Sequence, residues 1–346
     1  LEEDLARRDF TVNAMALDRR GALTDPFGGQ ADLERRLLRC VGDPDTRFHE
    51  DGLRPIRGLR FAAQLGFALE EETAAAVRRC RELLGNMAPE RLEAEMTRLL
   101  CGQDPLPVLL GYPQVIGVVV PEILPAVGFD QRNRHHCYDV WEHTVRALAA
   151  VPPEPVLRWT MLLHDLGKPA AFTLDHAGQG HFYGHGERSV QLAQTALDRL
   201  RMAHGQRDAI LELVRWHDLP IPPAPRPVRR ALRRFGEEAL RQLLTVQRAD
   251  NLAQHPAFRD KQDQLDQVEA LLETICQEGQ CFTLAQLAVD GRDLTAQGLE
   301  GRAVGAALER LLEDVIEERV PNERLALLDR LETIRDTLDG SKKESI

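Results

Sequence analysis

The stretch Glu50-Asp-Gly-Leu-Arg-Pro-Ile-Arg-Gly-Leu-Arg-Phe-Ala-Ala-Gln-Leu-Gly66 marks where a short strand-bearing beginning gives way to a helical chain. A helix is predicted over 52–65 and ends at Gly66, with further helices over 31–40, 70–84 and 89–101. Asp32, Glu70 and Glu71 suit first turns, where negative charge complements unpaired amides; Gly85 and Gly102 suit helix ends. Arg57 and Arg60 follow Arg54 at three-residue spacing, leaving Phe61, Leu65 and Phe67 for the buried side. Upstream, Phe10-Thr-Val-Asn-Ala-Met-Ala-Leu17 reads as a strand before the Asp18-Arg-Arg-Gly21 turn. A single strand is not stable alone, so it pairs with strands of a preceding segment or packs as an edge. Downstream, the proline- and glycine-rich residues 102–125 are predicted to form a broken connection. A second helical region covers 138–257, interrupted by 178–186 and by the prolines of 220–227. A third covers 260–340, punctuated by Gly291, Gly298, Gly301 and Gly305. The predicted fold class is mainly α.

A chain of 346 residues is too long for one ordinary core, so several modules are expected. The net charge of -11 excludes a protein that coats nucleic acid nonspecifically. Charge is nevertheless segregated: residues 221–250 carry seven Arg against three acidic residues, and the segment after them is acidic. The six cysteines form no CxxC pair and read as buried, reduced thiols. With no run of 18 apolar residues and no signal peptide before the first motif, a cytoplasmic protein with no membrane partner is expected.

Three groups of residues carry chemistry. Arg7, Arg8 and Asp9 lead into the predicted strand and suit a sheet edge facing a polyphosphate, since an arginine fork matches phosphate and an aspartate can order it. A charged strand entrance is the alternative. Asp51 and Arg54 lie three residues apart on one predicted helical face, pairing an acceptor with a donor that together match a nucleobase edge. A helix-start salt bridge is the plainer reading of that pair. The third group is His143, His164, Asp165, His185, His217 and Asp250, spread over successive helical or loop segments. Imidazole and carboxylate suit a divalent metal, and His164-Asp165 sits among apolar residues, where its polarity needs a partner. His135 and His136 are expected to be polar or RNA-facing, His176 and His181 to shield the pocket, and Trp141, Trp159 and Trp216 to pack the core.

Residues 4–66, from Asp4-Leu-Ala-Arg-Arg-Asp-Phe10 through Glu50-Asp-Gly-Leu-Arg54, resemble the bacterial tRNA nucleotidyltransferase and poly(A) polymerase family that contains the CCA-adding enzymes. Pro89-Glu-Arg-Leu-Glu-Ala-Glu95 is similar to that family's neck helix. The segment Gly291 to Gly301, with a helix over 306–319 and Asn322 before another apolar run, is similar to its body-to-tail region. Residues 138–257 resemble the HD phosphohydrolase domain.

The resemblance implies a partial nucleotidyltransferase α/β head over 1–46, a helical neck over 47–110, an HD-type metal-binding body over 111–257 and a helical, tRNA-binding tail over 258–346. Arg8 and Asp9 would lie beside the triphosphate and ribose. Asp51 and Arg54 would select CTP or ATP, with Glu50 orienting them and Arg57 supporting a phosphate or base. His143, His164, Asp165 and Asp250 would form a first metal set, His185 and His217 would enlarge it, and Lys168 would contact phosphate. Gly52 and Pro55 depart from the family pattern, and the proline is expected to fix the entrance of the selecting helix or bend it.

The family's glycine-rich strand-helix segment and its Asp-x-Asp pair for Mg2+ are not in the sequence, so this chain alone is expected to lack the ligands for nucleotidyl transfer. The implied activity is addition of C and/or A to the tRNA 3′ end, in an enzyme that carries the missing segment on the same or a separate chain. The HD site would take Mg2+ or a transition metal. Poly(A) polymerase, a metal-dependent phosphodiesterase or phosphatase, and an RNA-binding subunit are the alternatives.

Overall fold

The structure is a computed structural model that describes residues 1–259 and 261–340. It is mainly helical, with a small α/β beginning, as expected. The chain divides into two units, one of residues 1–218 with 245–259, the other of 219–244 with the chain from 260 onward. No helix among the described residues is long and apolar enough to cross a membrane.

The first unit opens with α1 (Glu2–Leu5) and a 3-10 turn at Thr11–Asn13. β1 (Ala16–Leu17) and β2 (Leu23–Thr24) then pair antiparallel. The expected strand over residues 10–17 is therefore interrupted. Phe10 bridges to Cys40, while the Asn13 side chain accepts from the Phe10 amide and donates to Asp9. A short polar side chain that satisfies the backbone locally competes with a ladder, and here the turn wins.

After α2 (Gly29–Glu34), β3 (Leu37–Leu38) pairs in parallel with β4 (Ala68–Leu69). A parallel pair needs a crossover, supplied by α3 (Pro44–Glu50) and α4 (Arg54–Leu65). Asp43 caps α3, and Pro55 sits in the first turn of α4, where its missing amide costs nothing. Pro55 thus starts the helix and does not bend it. Gly66, at φ +65°, ends it.

α5 (Glu71–Arg79) and α6 (Pro89–Leu100) follow. α4 packs on α6, with Ile56, Leu59 and Ala63 facing a core shared with Met96 and Leu99, all fully buried. Burying each Leu, Ile or Met side chain contributes about 1.5–3 kcal/mol. Arg60, expected on an arginine stripe, is instead buried and ion-paired at 2.6 Å with Glu95 of α6.

The connection at 102–125 also departs from expectation. It forms α7 (Leu106–Gly111), α8 (Pro113–Val119) and a 3-10 turn at Pro121–Ala126, because Pro107, Pro113 and Pro121 each fall in a first turn, where a proline is tolerated.

The body of this unit comprises α9 (Val140–Ala150), α10 (Pro155–Leu163), α11 (Lys168–Ala171), α12 (His185–Arg199) and α13 (His204–Trp216). Between α11 and α12, β5 (Thr173–Leu174) and β6 (Gly180–His181) form an antiparallel hairpin. Trp141 and Trp159 are buried here as expected, and Trp159 Nε1 donates to Thr97 Oγ1 at 2.8 Å.

α14 (Pro225–Leu252) belongs to the second unit up to residue 244 and is broken at Gly236, whose φ is +76°. α15 (Lys261–Gln277), α16 (Gly291–Ala296), α17 (Arg302–Ile316) and α18 (Arg324–Gly340) complete that unit. Leu294, Ala307, Leu311 and Leu327 form the centre of its core. The arginines of 226–233 are ion-paired within the unit: Arg226 and Arg229 with Glu318, Arg230 with Glu317, and Arg233 with Glu309. The segregation of charge along the sequence is thus cancelled locally in space.

Candidate functional site

Two sites can be built from the residues upward, both in the first unit. The first joins the Arg-Arg-Asp segment to the turn between α3 and α4. Arg54 is the first residue of α4. Its Nη1 donates to Glu50 Oε2 and to the Arg47 carbonyl, both at 2.9 Å, and its Nη2 donates to the Arg7 carbonyl at 3.0 Å. Arg57, one turn on, donates from Nε to Asp9 Oδ2 at 2.7 Å, and Asp9 Oδ1 accepts from Asn13. The start of α4 therefore holds the segment carrying Arg8 and Asp9.

Asp51 and Arg54 do not share a helical face. Asp51 lies past the end of α3 in extended backbone, accepts from the Leu53 amide, and has Arg91 at 3.7 Å. The carboxylate partner of Arg54 is Glu50, which Arg47 and Arg54 hold below the usual carboxylate range. Arg8 is exposed and lies 3.4 Å from Asp4. Gly52 is closely packed: a Cβ there would lie 3.0 Å from Met87 Cε and 3.2 Å from the Leu83 carbonyl oxygen. Asn13, Arg47 and Glu95 also belong to this network, although the sequence did not single them out for it.

The second site gathers all six His and Asp residues singled out in the body. His164 and His217 cap the C-termini of α10 and α13. Their Nδ1 atoms bond the Met161 and Val214 carbonyls, three residues back, at 2.8 and 2.7 Å. His185, at the start of α12, does the same with Phe182, and His143 of α9 meets the Ala253 carbonyl. With every Nδ1 held by a carbonyl, each Nε2 is left as the inward-facing donor atom, the arrangement that orients an imidazole toward a metal.

His143 Nε2 lies 2.8 Å from Asp250 and 3.3 Å from Asp165, and His164 Nε2 lies 3.2 Å from Asp165. His185 and His217 place their Nε2 atoms 3.2 Å apart, at 3.5 and 3.8 Å from Asp165 Oδ1. Two donor groups result, His143 with His164, Asp165 and Asp250, and Asp165 with His185 and His217, each gathered within 4.8 Å.

His164 Nε2 and both Asp165 oxygens are buried, and despite these short approaches they make no hydrogen bond of good geometry. Buried imidazole and carboxylate atoms that converge on one point without well-aligned hydrogen bonds fit a cation. Burial works against a charge on His164, yet Asp165 and Asp250 raise it to about 10. His143 is raised by the same two carboxylates against its burial. Burial alone would favour neutral acids at Asp165 and Asp250, but the histidines, and at Asp165 also Lys168, hold both well below the usual range. Burial and the neighbouring His164 lower His217.

Lys168 Nζ meets Asp165 Oδ2 at 2.6 Å and donates to Gln131 Oε1 at 3.3 Å. Gln131, almost fully buried, and Asp218, 3.8 Å from His185, are additions that the sequence did not single out. His136 is half-buried beside the cluster and belongs to neither donor group. It packs edge-on against His143, with ring centroids 5.0 Å apart, and burial beside Lys168 and His143 pushes it down to about 3. His181 lies beside Asp175 at 3.0 Å.

Comparison with known proteins places these features in order along the chain. The family model for the poly A polymerase head domain matches residues 1–39, that for the probable RNA and SrmB-binding site of polymerase A matches 66–110, and that for the HD domain matches 134–254. The chain is 36% identical over 332 residues to the multifunctional CCA protein of Thioalkalivibrio sulfidiphilus, covering 89% of this chain and 76% of that protein. It is 35% identical over 340 residues to the CC-adding tRNA nucleotidyltransferase of Thermus thermophilus, covering 92% and 74%. The crystal structure of the Bacillus stearothermophilus CCA-adding enzyme in complex with CTP superposes with a TM-score of 0.69 at 27% identity, covering 98% of this chain and 76% of that one.

Proposed function

Because the chain belongs to the bacterial CCA-adding tRNA nucleotidyltransferases that carry an HD-type domain, we propose that it adds C and/or A from CTP and ATP to the tRNA 3′ end. The observation that supports this reading is the clasp of Arg54 and Arg57 on Arg7 and Asp9, which holds the turn between α3 and α4 against the Arg-Arg-Asp segment. In this reading Arg8 binds the triphosphate, Asp9 orients the ribose, and Asp51 with Arg54 presents acceptor and donor to the base edge. Glu50 holds Arg54 in place, and Arg57 supports Asp9. The 3′ hydroxyl of the tRNA attacks the α-phosphorus and pyrophosphate leaves.

Among the described residues, both groups able to hold a metal lie in the body. As the family resemblance implies, we assign the Mg2+ ligands for transfer to an Asp-x-Asp head segment, in cis or on a partner chain. The tail binds the acceptor arm, and the protein works in the cytoplasm. The test uses protein completed with that segment and tRNA ending before or within CCA. Extension that stops after CCA, or after CC or A alone, is expected. No extension by the folded, completed protein overturns the reading, and repeated A addition to unrelated RNA makes it a poly(A) polymerase.

A second activity is favoured by the buried His-Asp centre: metal-dependent hydrolysis of phosphate esters. A donor set this rich in imidazole favours a transition metal over Mg2+. The metal, when bound, supplies polarisation of the phosphoryl group and activation of water. His143, His164, Asp165, His185, His217 and Asp250 hold it, and Lys168 places a positive charge beside the developing phosphoryl charge. Hydrolysis of a 2′,3′-cyclic nucleotide that Asp165→Ala abolishes while the fold survives is the expected result. Turnover that persists in Asp165→Ala would remove this centre from the chemistry.

A further inference from the structure

The hairpin leading into the metal centre ends on an unusual surface. Tyr183 is 78% exposed, yet its ring is not free on both faces: it stacks on His181, with centroids 5.4 Å apart and planes 7° apart. His181 is itself held by Asp175, whose Oδ2 lies 3.0 Å from Nε2. The residue between them faces the other way. Phe182 packs on Phe172 and brings its ring to 5.6 Å from Lys168 Nζ, the ammonium that touches Asp165.

Two residues after Tyr183 comes His185, a member of the second donor group, and two residues of chain span only about 7 Å. Gly184, at φ +72°, turns the chain between them, a conformation that a side chain would strain. One face of an aromatic ring backed by an imidazole is thus presented to solvent within a few residues of the cluster that would take a phosphate.

We propose that Tyr183, backed by His181, is a base-stacking platform that makes the His-Asp centre specific for nucleotides and RNA 3′-terminal phosphates over phosphates that lack a base. This inference rests on the hydrolase reading of that centre. The chemistry favours a nucleobase because every base offers a π face, and stacking on an aromatic ring needs no sequence-specific hydrogen bond. The pre-formed stack on His181 reduces the ordering that a lone exposed tyrosine would require. Because the base is remote from the reacting phosphorus, its contact is equally strong in ground and transition states, so its loss appears in KM and leaves kcat nearly unchanged.

The test compares wild type, Tyr183→Ala and Tyr183→Trp in metal-loaded protein, on 2′,3′-cyclic AMP and on methyl riboside 2,3-cyclic phosphate, which has no base. Tyr183→Ala should raise KM for the cyclic nucleotide about tenfold. It should leave the base-free substrate unchanged, and Tyr183→Trp should restore the wild-type value. A second readout needs no turnover: calorimetric binding of adenosine 2′-monophosphate should weaken in Tyr183→Ala, whereas that of ribose 5-phosphate should not.

Unchanged KM and binding in Tyr183→Ala, or equal losses on both substrates, overturns the platform and leaves the hydrolase reading intact. Tyr183-dependent nucleotide binding without turnover upholds the platform and overturns the hydrolase reading. Neither turnover nor nucleotide binding by wild type overturns both.

Discussion

Asp165 belongs to both donor groups of the metal centre, whereas His143 and Asp250 serve one and His185 and His217 the other. Asp165→Asn is therefore expected to abolish metal binding altogether and His185→Ala to remove only part of it, measured as bound metal per chain by elemental analysis. Protons compete at the same atoms. A metal takes a neutral imidazole, but without metal the pKa of His164 is raised from 6.5 to about 10. This raised value stabilises the metal-free fold fully below pH 6.5, and the contribution is lost as pH rises through about 10. Metal loading at neutral pH should release protons, and affinity should increase as pH rises from 7 toward 10; calorimetry in buffers of different ionisation enthalpy reads both. At the other site, Arg54→Ala removes a largely buried charged donor, costing about 1–3 kcal/mol where the contact is desolvated. CTP-versus-ATP discrimination by the completed enzyme should fall, with tRNA affinity little changed. The six clustered His and Asp residues and Arg54 were singled out from the sequence as residues. Gln131 and Asp218 were not, because Lys168 and His185, which they meet, are their neighbours only in space.

Among the elements, the turn carrying His164-Asp165 depends on Gly167. A Cβ there would stand 2.3 Å from the His185 carbonyl oxygen and 2.7 Å from the Ser189 amide nitrogen, so the glycine lets the turn approach the start of α12. Gly167→Ala should destabilise the protein by about 1–3 kcal/mol and weaken metal binding, because α12 carries His185. Gly205 in α13 is the control: nothing lies within 4 Å of its added Cβ, and alanine there should be neutral or stabilising by up to about 1 kcal/mol. Thermal melts and metal titrations of the two variants check the contrast. Helices with clear caps, such as α4 with its terminal Gly66, were legible. The strand expected over 10–17 was not, since the side chain of Asn13 satisfies a nearby amide. Prolines at 113 and 121 were read as breaks, although in both places they begin a new turn.

For the whole molecule, charge is where sequence and space differ most. Asp314 is completely buried, and although burial favours its neutral form, Arg330 and Arg319 hold it below 3.8. A depressed folded pKa stabilises above the unfolded value and is lost as pH falls through the folded one. The second unit should therefore weaken below about pH 4. Asp314→Ala should cost about 2 kcal/mol at neutral pH and flatten that acid transition, followed by circular dichroism. The sequence by itself determined the mainly helical class, the order of the family motifs and the six His and Asp residues that the fold gathers into two clusters able to hold a metal, because residue chemistry and capping are local properties. Only the tertiary structure decided that Arg54 and Arg57 grip the Arg-Arg-Asp segment, that Asp51 leaves the helix, and that the arginines of 226–233 face glutamates. Those outcomes depend on which helix ends meet, and contacts between residues distant in sequence leave no periodic signal in the chain.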